Sequence, residues 1–254
     1  MKVLLTISFL GAAYHGWQVQ KNAPSVQKCV QTAAETLLSS PCAVTGCSRT
    51  DAGVHALRYF CTLKSAALDR FPLDKLPTAL NRHLPDDVSA LSARQVEDSF
   101  HPRYDALAKE YEYLFYVGEQ RDPFACGRAC MIPGRAPDLT RMAAEAEKLV
   151  GTHDFSSFCA SGGKIEDKTR SVYYCRVSRD GNYVKLNICA DGFLYNMVRI
   201  IAGTLLEAAL GKDTDVRAIL DARKRSAAGR TAPPEGLYLK RVFYNEEELN
   251  SARN

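Results

Sequence analysis

The sequence has 254 residues, 46% of them hydrophobic and 24% charged, which suits one large or two modest globular domains and excludes disordered and fibrous classes. A formal net charge of +4 is too mild for a polycation, yet it permits a locally basic groove facing phosphates. No apolar run reaches the ~18 residues of a membrane span, and Met1 to Leu10 alternates where a secretory leader would be unbroken, so a cytoplasmic protein with no membrane association is expected.

Lys2 to Phe9 sets Val3, Leu5, Ile7 and Phe9 against Lys2, Thr6 and Ser8, the period of a half-buried strand. After the loop from Gly11 to Pro24, Ser25 is placed to cap a helix carrying Val26, Val30, Ala33 and Leu37, which ends at Ser39, Ser40 and Pro41. A glycine-punctuated stretch from Thr45 to His55 leads to a strand-like run, Tyr59 to Lys64. Pro72 to Leu84 reads as a short helix interrupted by Pro77, and Val88 to Val96 as another strand. Glu110 to Val117 restarts the alternation with Tyr111, Tyr113, Phe115 and Val117 on one face. Asp138 caps a helix with the stripe Leu139, Met142, Ala146 and Leu149, stopped by Gly151 and followed by a polar loop to Thr169. Ser171 to Ser178 and Tyr183 to Ala190 flank Asp180-Gly181, a hairpin signal, and Gly192 opens a largely apolar helix to Leu210. Both halves hold strands with a covering helix, so the expected organisation is an N-terminal subdomain, 1–104, and a C-terminal one, 105–254, meeting near Asp105.

The densest polar constellation is Gly46-Cys47-Ser48-Arg49-Thr50-Asp51-Ala52-Gly53-Val54-His55-Ala56. A carboxylate serves as nucleophile or base, and a nearby arginine keeps it ionised and aimed, which singles out Asp51. Asp-Ala-Gly is equally an ordinary turn, in which aspartate bonds its own backbone and glycine takes positive φ; spacing leaves both readings open. No phosphate-binding glycine loop, paired-histidine zinc helix or serine nucleophile elbow appears. Ser161-Gly162-Gly163-Lys164 reads as a flexible connection without a catalytic role. The nine cysteines, an odd number, are expected to be free thiols. Cys126 and Cys130 form only half of a zinc spacing, so no metal is expected.

Arg49-Thr50-Asp51-Ala52-Gly53-Val54-His55-Ala56 resembles the signature of the TruA family of tRNA pseudouridine synthases. Further segments agree in order: Gly16-Trp17-Gln18-Val19-Gln20, Phe100-His101-Pro102-Arg103, Lys109-Glu110-Tyr111-Glu112-Tyr113, His153-Asp154-Phe155 in a loop, Phe193 to Gly203 and the strand Gly236-Leu237-Tyr238-Leu239. The resemblance implies an α+β fold: two similar subdomains forming one mixed, mainly antiparallel sheet flanked by helices. It implies isomerisation of uridine to pseudouridine on the 3′ side of the tRNA anticodon arm, without a cofactor, by a homodimer. By the same resemblance Asp51 is the catalytic carboxylate, Arg199 the arginine that pairs with it, Tyr111 the tyrosine placed against the target base, and Arg49 helps to hold the flipped nucleotide. The alternatives are a divergent paralogue modifying other tRNA uridines, a tRNA-binding protein without catalysis, and a glycosidase-like hydrolase, for which Asp51 lacks a visible second carboxylate. The sequence departs from the family pattern at Leu10-Gly11-Ala12-Ala13, where Asp-Gly-Thr is usual, at Ser48 in place of glycine, and at Arg58-Tyr59 in place of Gly-Gln. The basic stretch Arg217, Arg223, Lys224, Arg225 and Arg230 reads equally as phosphate contacts or as a solvated face.

Overall fold

The computed structural model describes residues 1–134, 136–162 and 165–253; Gly163 and Lys164 of the glycine-lysine run lie outside them. Among the described residues, ten strands, mixed in direction but mainly antiparallel, and flanking helices make an α+β fold. The chain divides into two units, Met1–Leu107 with Tyr238–Tyr244 and Ala108–Leu237 with Asn245–Asn254.

In the first unit, β1 (Lys2–Phe9) is followed by α1 (Val26–Leu38), β2 (Ala43–Gly46), β3 (His55–Lys64), α2 (Leu76–Leu80) and β4 (Val88–Val96). β1 lies antiparallel between β3 and β4. Its central place explains why Thr6, on the side expected to be wet, is buried; Ser92 Oγ donates to its hydroxyl at 3.0 Å, so the buried oxygen is satisfied. Ser25 caps α1 as expected, its side chain accepting from the Lys28 N–H, and Ser39 ends the helix in the left-handed conformation. β3 begins at His55, four residues before the expected run, and the glycine-punctuated stretch contains β2, paired antiparallel to β3. Pro77 does not interrupt a helix; it sits in the first turn of α2, where its missing N–H costs nothing.

The second unit opens with β5 (Ala108–Gly118) and β6 (Cys130–Pro133), then α3 (Leu139–Glu147), β7 (Gly151–Asp154), β8 (Thr169–Asp180), β9 (Tyr183–Ala190), α4 (Met197–Ala209) and α5 (Val216–Ala222). β9 lies antiparallel between β5 and β8, β7 pairs outside β8, and β6 runs parallel to β5. Asp138 caps α3, its carboxylate accepting from the Arg141 N–H at 3.0 Å. The loop expected up to Thr169 instead contains β7 and a turn of 3₁₀ helix, Ser156–Phe158, with Phe155 and Phe158 buried. His153 and Asp154 thus end a strand. Gly192 does not open α4. That helix starts at Met197, after Asn196 in the left-handed conformation (φ 59°).

The last strand, β10 (Leu237–Phe243), belongs from Tyr238 onward to the first unit and runs parallel to β3, Tyr238 opposite His55 and Leu239 opposite Ala56. The final helix, α6 (Glu246–Arg253), returns to the second unit, where the Arg253 guanidinium lies 3.9 Å over the Tyr173 ring. Among the described residues, no helix is long and apolar enough to cross a membrane.

Candidate active site

Asp51 sits half-buried in the segment joining β2 to β3. The segment is tied at both ends. At its start the Cys47 N–H donates to Phe60 O at 2.9 Å, and the Tyr59 hydroxyl serves the Ser48 backbone twice, accepting from its N–H at 3.3 Å and donating to its carbonyl. At its end the Gly53 N–H donates to Tyr14 O at 3.2 Å, and the Val54 N–H closes a turn on Asp51 O at 3.2 Å. Between the ties, Gly16 (φ +90°) approaches so closely that a Cβ there would stand 2.1 Å from Thr50 O. Only glycine combines that φ with that approach. Thr50 Oγ1 is buried without a hydrogen-bond partner among the described residues, at a cost of about 1–3 kcal/mol. The ties therefore hold a segment that carries an unfavourable term of its own.

His55, which closes the motif, is buried, and its Nδ1 accepts from the Gly11 N–H at 2.8 Å. That nitrogen carries no proton in this arrangement. The ring stacks on Tyr238 with centroids 4.6 Å apart. His55 thus joins the loop after β1 to β10 and anchors the start of β3.

In the second unit, Tyr111 lies buried on β5 with its ring edge-on to Phe193, centroids 5.0 Å apart. Its neighbour on the same face, Tyr113, donates its hydroxyl to Pro233 O at 2.7 Å, and burial pushes that phenol's pKa up. Arg199 is half-buried in the first turn of α4. Its Nε donates to Ala232 O at 2.8 Å and its Nη1 to Asn196 Oδ1 at 2.9 Å. Two donors on different edges fix the guanidinium plane, since the group's five N–H bonds form a rigid fork.

Arg49 is exposed beside Asp51 on the same loop. Cys126 is exposed, whereas Cys130 is buried, which raises its thiol pKa; all nine cysteines are free thiols. Within the basic stretch, Arg223 Nε lies 3.4 Å from Asp154 Oδ2, and Arg225 donates to Ala228 O, Gly229 O and Thr231 Oγ1. Those two side chains hold the fold of their own unit. Sequence reading missed Tyr14, Tyr59 and Asn196 as supports. The available signals were the spacing of Asn196 three residues before Arg199 and the motif containing Trp17, the sole tryptophan.

The family model for tRNA pseudouridine synthase matches residues 5–105 and 145–245, covering β1 from Leu5 onward, the Asp51 loop and the Arg199 helix. A curated relative from Thermoanaerobacter, named tRNA pseudouridine synthase A, is 41% identical over 244 residues, covering 95% of this chain and 99% of the relative. Relatives of the same name from Ruminiclostridium cellulolyticum and Bacillus pumilus are 40% and 41% identical, each covering 96% of this chain, and 99% and 100% of their own lengths. The match runs through the pinned aspartate loop and the fixed arginine alike, and on that extent the chain belongs to the tRNA pseudouridine synthase family.

Proposed function

We propose that this chain isomerises uridine to pseudouridine within tRNA and that Asp51 is its catalytic carboxylate. The observation that carries the reading is a half-exposed aspartate in the middle of a loop tied at both ends, inside a chain that matches the family over nearly its full length. The reaction breaks the bond from N1 to C1′, turns the base and makes the bond from C5 to C1′; the C5 proton leaves to solvent and N1 takes up a proton, so the product is an isomer of the substrate. Electrons are redistributed within one nucleotide, so the reading includes no cofactor. A stacked base hides both bonds, so the nucleotide flips out at a cost of a few kcal/mol that pocket contacts offset.

In this reading Tyr111 lies against the target base, Arg199 keeps the carboxylate ionised and oriented, and Arg49 helps to hold the displaced nucleotide. The two fixed donors of Arg199 support its role, because a guanidinium set in one plane orients a carboxylate better than a mobile cation does. The same reading makes the anticodon arm the target, a second copy of the chain the partner and the cytoplasm the compartment.

The test is release of tritium from C5-labelled uridine in bulk tRNA, by the wild type and by Asp51→Asn. The wild type releases tritium; Asp51→Asn, which keeps shape and loses charge, releases at least about a thousandfold more slowly while binding tRNA as before. Release by Asp51→Asn above a few per cent of wild type overturns the assignment of Asp51. Binding without release by the wild type makes the chain an RNA-binding protein instead.

A further inference from the structure

We propose that Tyr59 is a positioning residue for the Asp51 loop, acting through its phenol hydroxyl on the backbone of Ser48; this rests on the reading of Asp51 as the catalytic carboxylate. Tyr59 is fully buried on β3. Its ring stacks on Trp17, with centroids 4.2 Å apart and planes at 26°, and meets Phe9 at 5.6 Å. Gly46 closes the remaining side: a Cβ there would stand 2.2 Å from the Tyr59 hydroxyl oxygen and 2.4 Å from Trp17 Nε1. A phenol enclosed in this way has one orientation, and its oxygen is placed where it both donates to and accepts from the Ser48 backbone.

A hydroxyl that satisfies both the N–H and the C=O of one residue does what a neighbouring strand would do, at a place where β2 has ended and no strand continues. The clamp lies three residues before Asp51, and the second tie, from Gly53 to Tyr14, lies two residues after it. Removing the hydroxyl takes away the tie nearest to Asp51 on that side and moves the hold back to the Cys47–Phe60 bond, with the buried Thr50 hydroxyl still uncompensated.

Tyr59→Phe keeps the ring and its stack and removes only the hydroxyl. We expect the single-turnover rate constant for tritium release to fall about tenfold to a hundredfold, the range set by small misplacement of a reacting group, with tRNA affinity unchanged. Hydrogen exchange should rise at the amides of residues 47–53 and stay unchanged in β1. 4-Aminophenylalanine at position 59, which returns a donor to the same place, should restore both the rate and the protection. A wild-type rate constant in Tyr59→Phe, with or without a lower melting temperature, overturns the proposal, as does a slow variant whose loop exchange is unchanged. Should Tyr59→Phe fail to fold, a 4-aminophenylalanine variant that folds and turns over like Tyr59→Phe's unclamped expectation, about tenfold or more below wild type, overturns it equally. Asp51→Asn run in parallel separates the two readings: turnover by that variant sinks the assignment of Asp51, whereas an inactive Asp51→Asn beside a fast Tyr59→Phe sinks only the clamp.

Discussion

On the Asp51 loop the ties run to the backbone: Tyr59 holds Ser48, the Tyr14 carbonyl holds Gly53, and Gly16 fits against the Thr50 carbonyl. On α4 the tie runs to the side chain itself, with Arg199 held through its own guanidinium by Ala232 O and Asn196 Oδ1. Those loop ties run through backbone atoms and not through the Asp51 carboxylate. Arg199 spends part of its donor set on being held, and any change to the side chain alters chemistry and support together.

The largest effect that sharpens this contrast is expected at Arg199. Arg199→Ala should lower the single-turnover rate about a hundredfold, and Arg199→Lys should recover only part of it, because lysine restores charge without the planar fork. Asn196→Ala, which removes one tie and leaves the guanidinium in place, should cost about tenfold. Equal rates for Asn196→Ala and wild type would show that the Asn196 bond does not orient the arginine.

The loop is broken instead through the groups that support it. Gly16→Ala forces a side chain into positive φ and against Thr50 O, so thermal unfolding should show a loss of about 2–4 kcal/mol. Turnover by the folded fraction should fall as well, since Thr50 adjoins Asp51. Retained wild-type stability would mean that the Gly16 segment can move away at little cost.

The smallest effect concerns Asp154, a carboxylate of the second unit held by charge and side-chain bonds. The Ser156 hydroxyl, at 2.6 Å, is the main cause that keeps its pKa below the usual range, with the Ser156 N–H at 2.8 Å and Arg223 adding to it. A folded pKa below the unfolded value of about 3.9 gives stability that is present above that value and lost as pH falls through the folded pKa. Asp154→Asn should therefore melt about 1–2 °C lower at neutral pH, as suits a partly exposed pair, and match the wild type once the pH has fallen below the lowered folded pKa. A difference that persists in acid would assign the effect to packing.

Where the determinants were local, the sequence was readable. The strands at Lys2–Phe9, Val88–Val96 and Tyr183–Ala190 have the expected bounds, and Ser25 and Asp138 cap their helices, because alternation and capping depend on a few adjacent residues. β2, β6 and β7 have four residues each and show no period; they are strands only because a partner lies beside them. The start of α4 was misplaced for a different reason: Gly192 resembles a helix boundary, but the turn to helix is made by Asn196, a residue that tolerates the left-handed conformation without advertising it. At the candidate site, the kinds of residue at Asp51 and Arg49 were legible as chemistry. The clamp of Tyr59 on Ser48 was not, since it joins positions eleven residues apart through a stack on Trp17 that no spacing rule encodes.

The return of Tyr238–Tyr244 to the first unit has a consequence for biosynthesis. Translation delivers β1 to β4 early, but the parallel neighbours of His55 and Ala56 are Tyr238 and Leu239, far later in the sequence. A nascent chain that has not reached Tyr238 leaves those β3 positions as an open edge, and the His55 ring has yet to meet its stacking partner. The root of the Asp51 loop is thus completed only after β10 has left the ribosome, and a chain cut short before Tyr238 is left without that support.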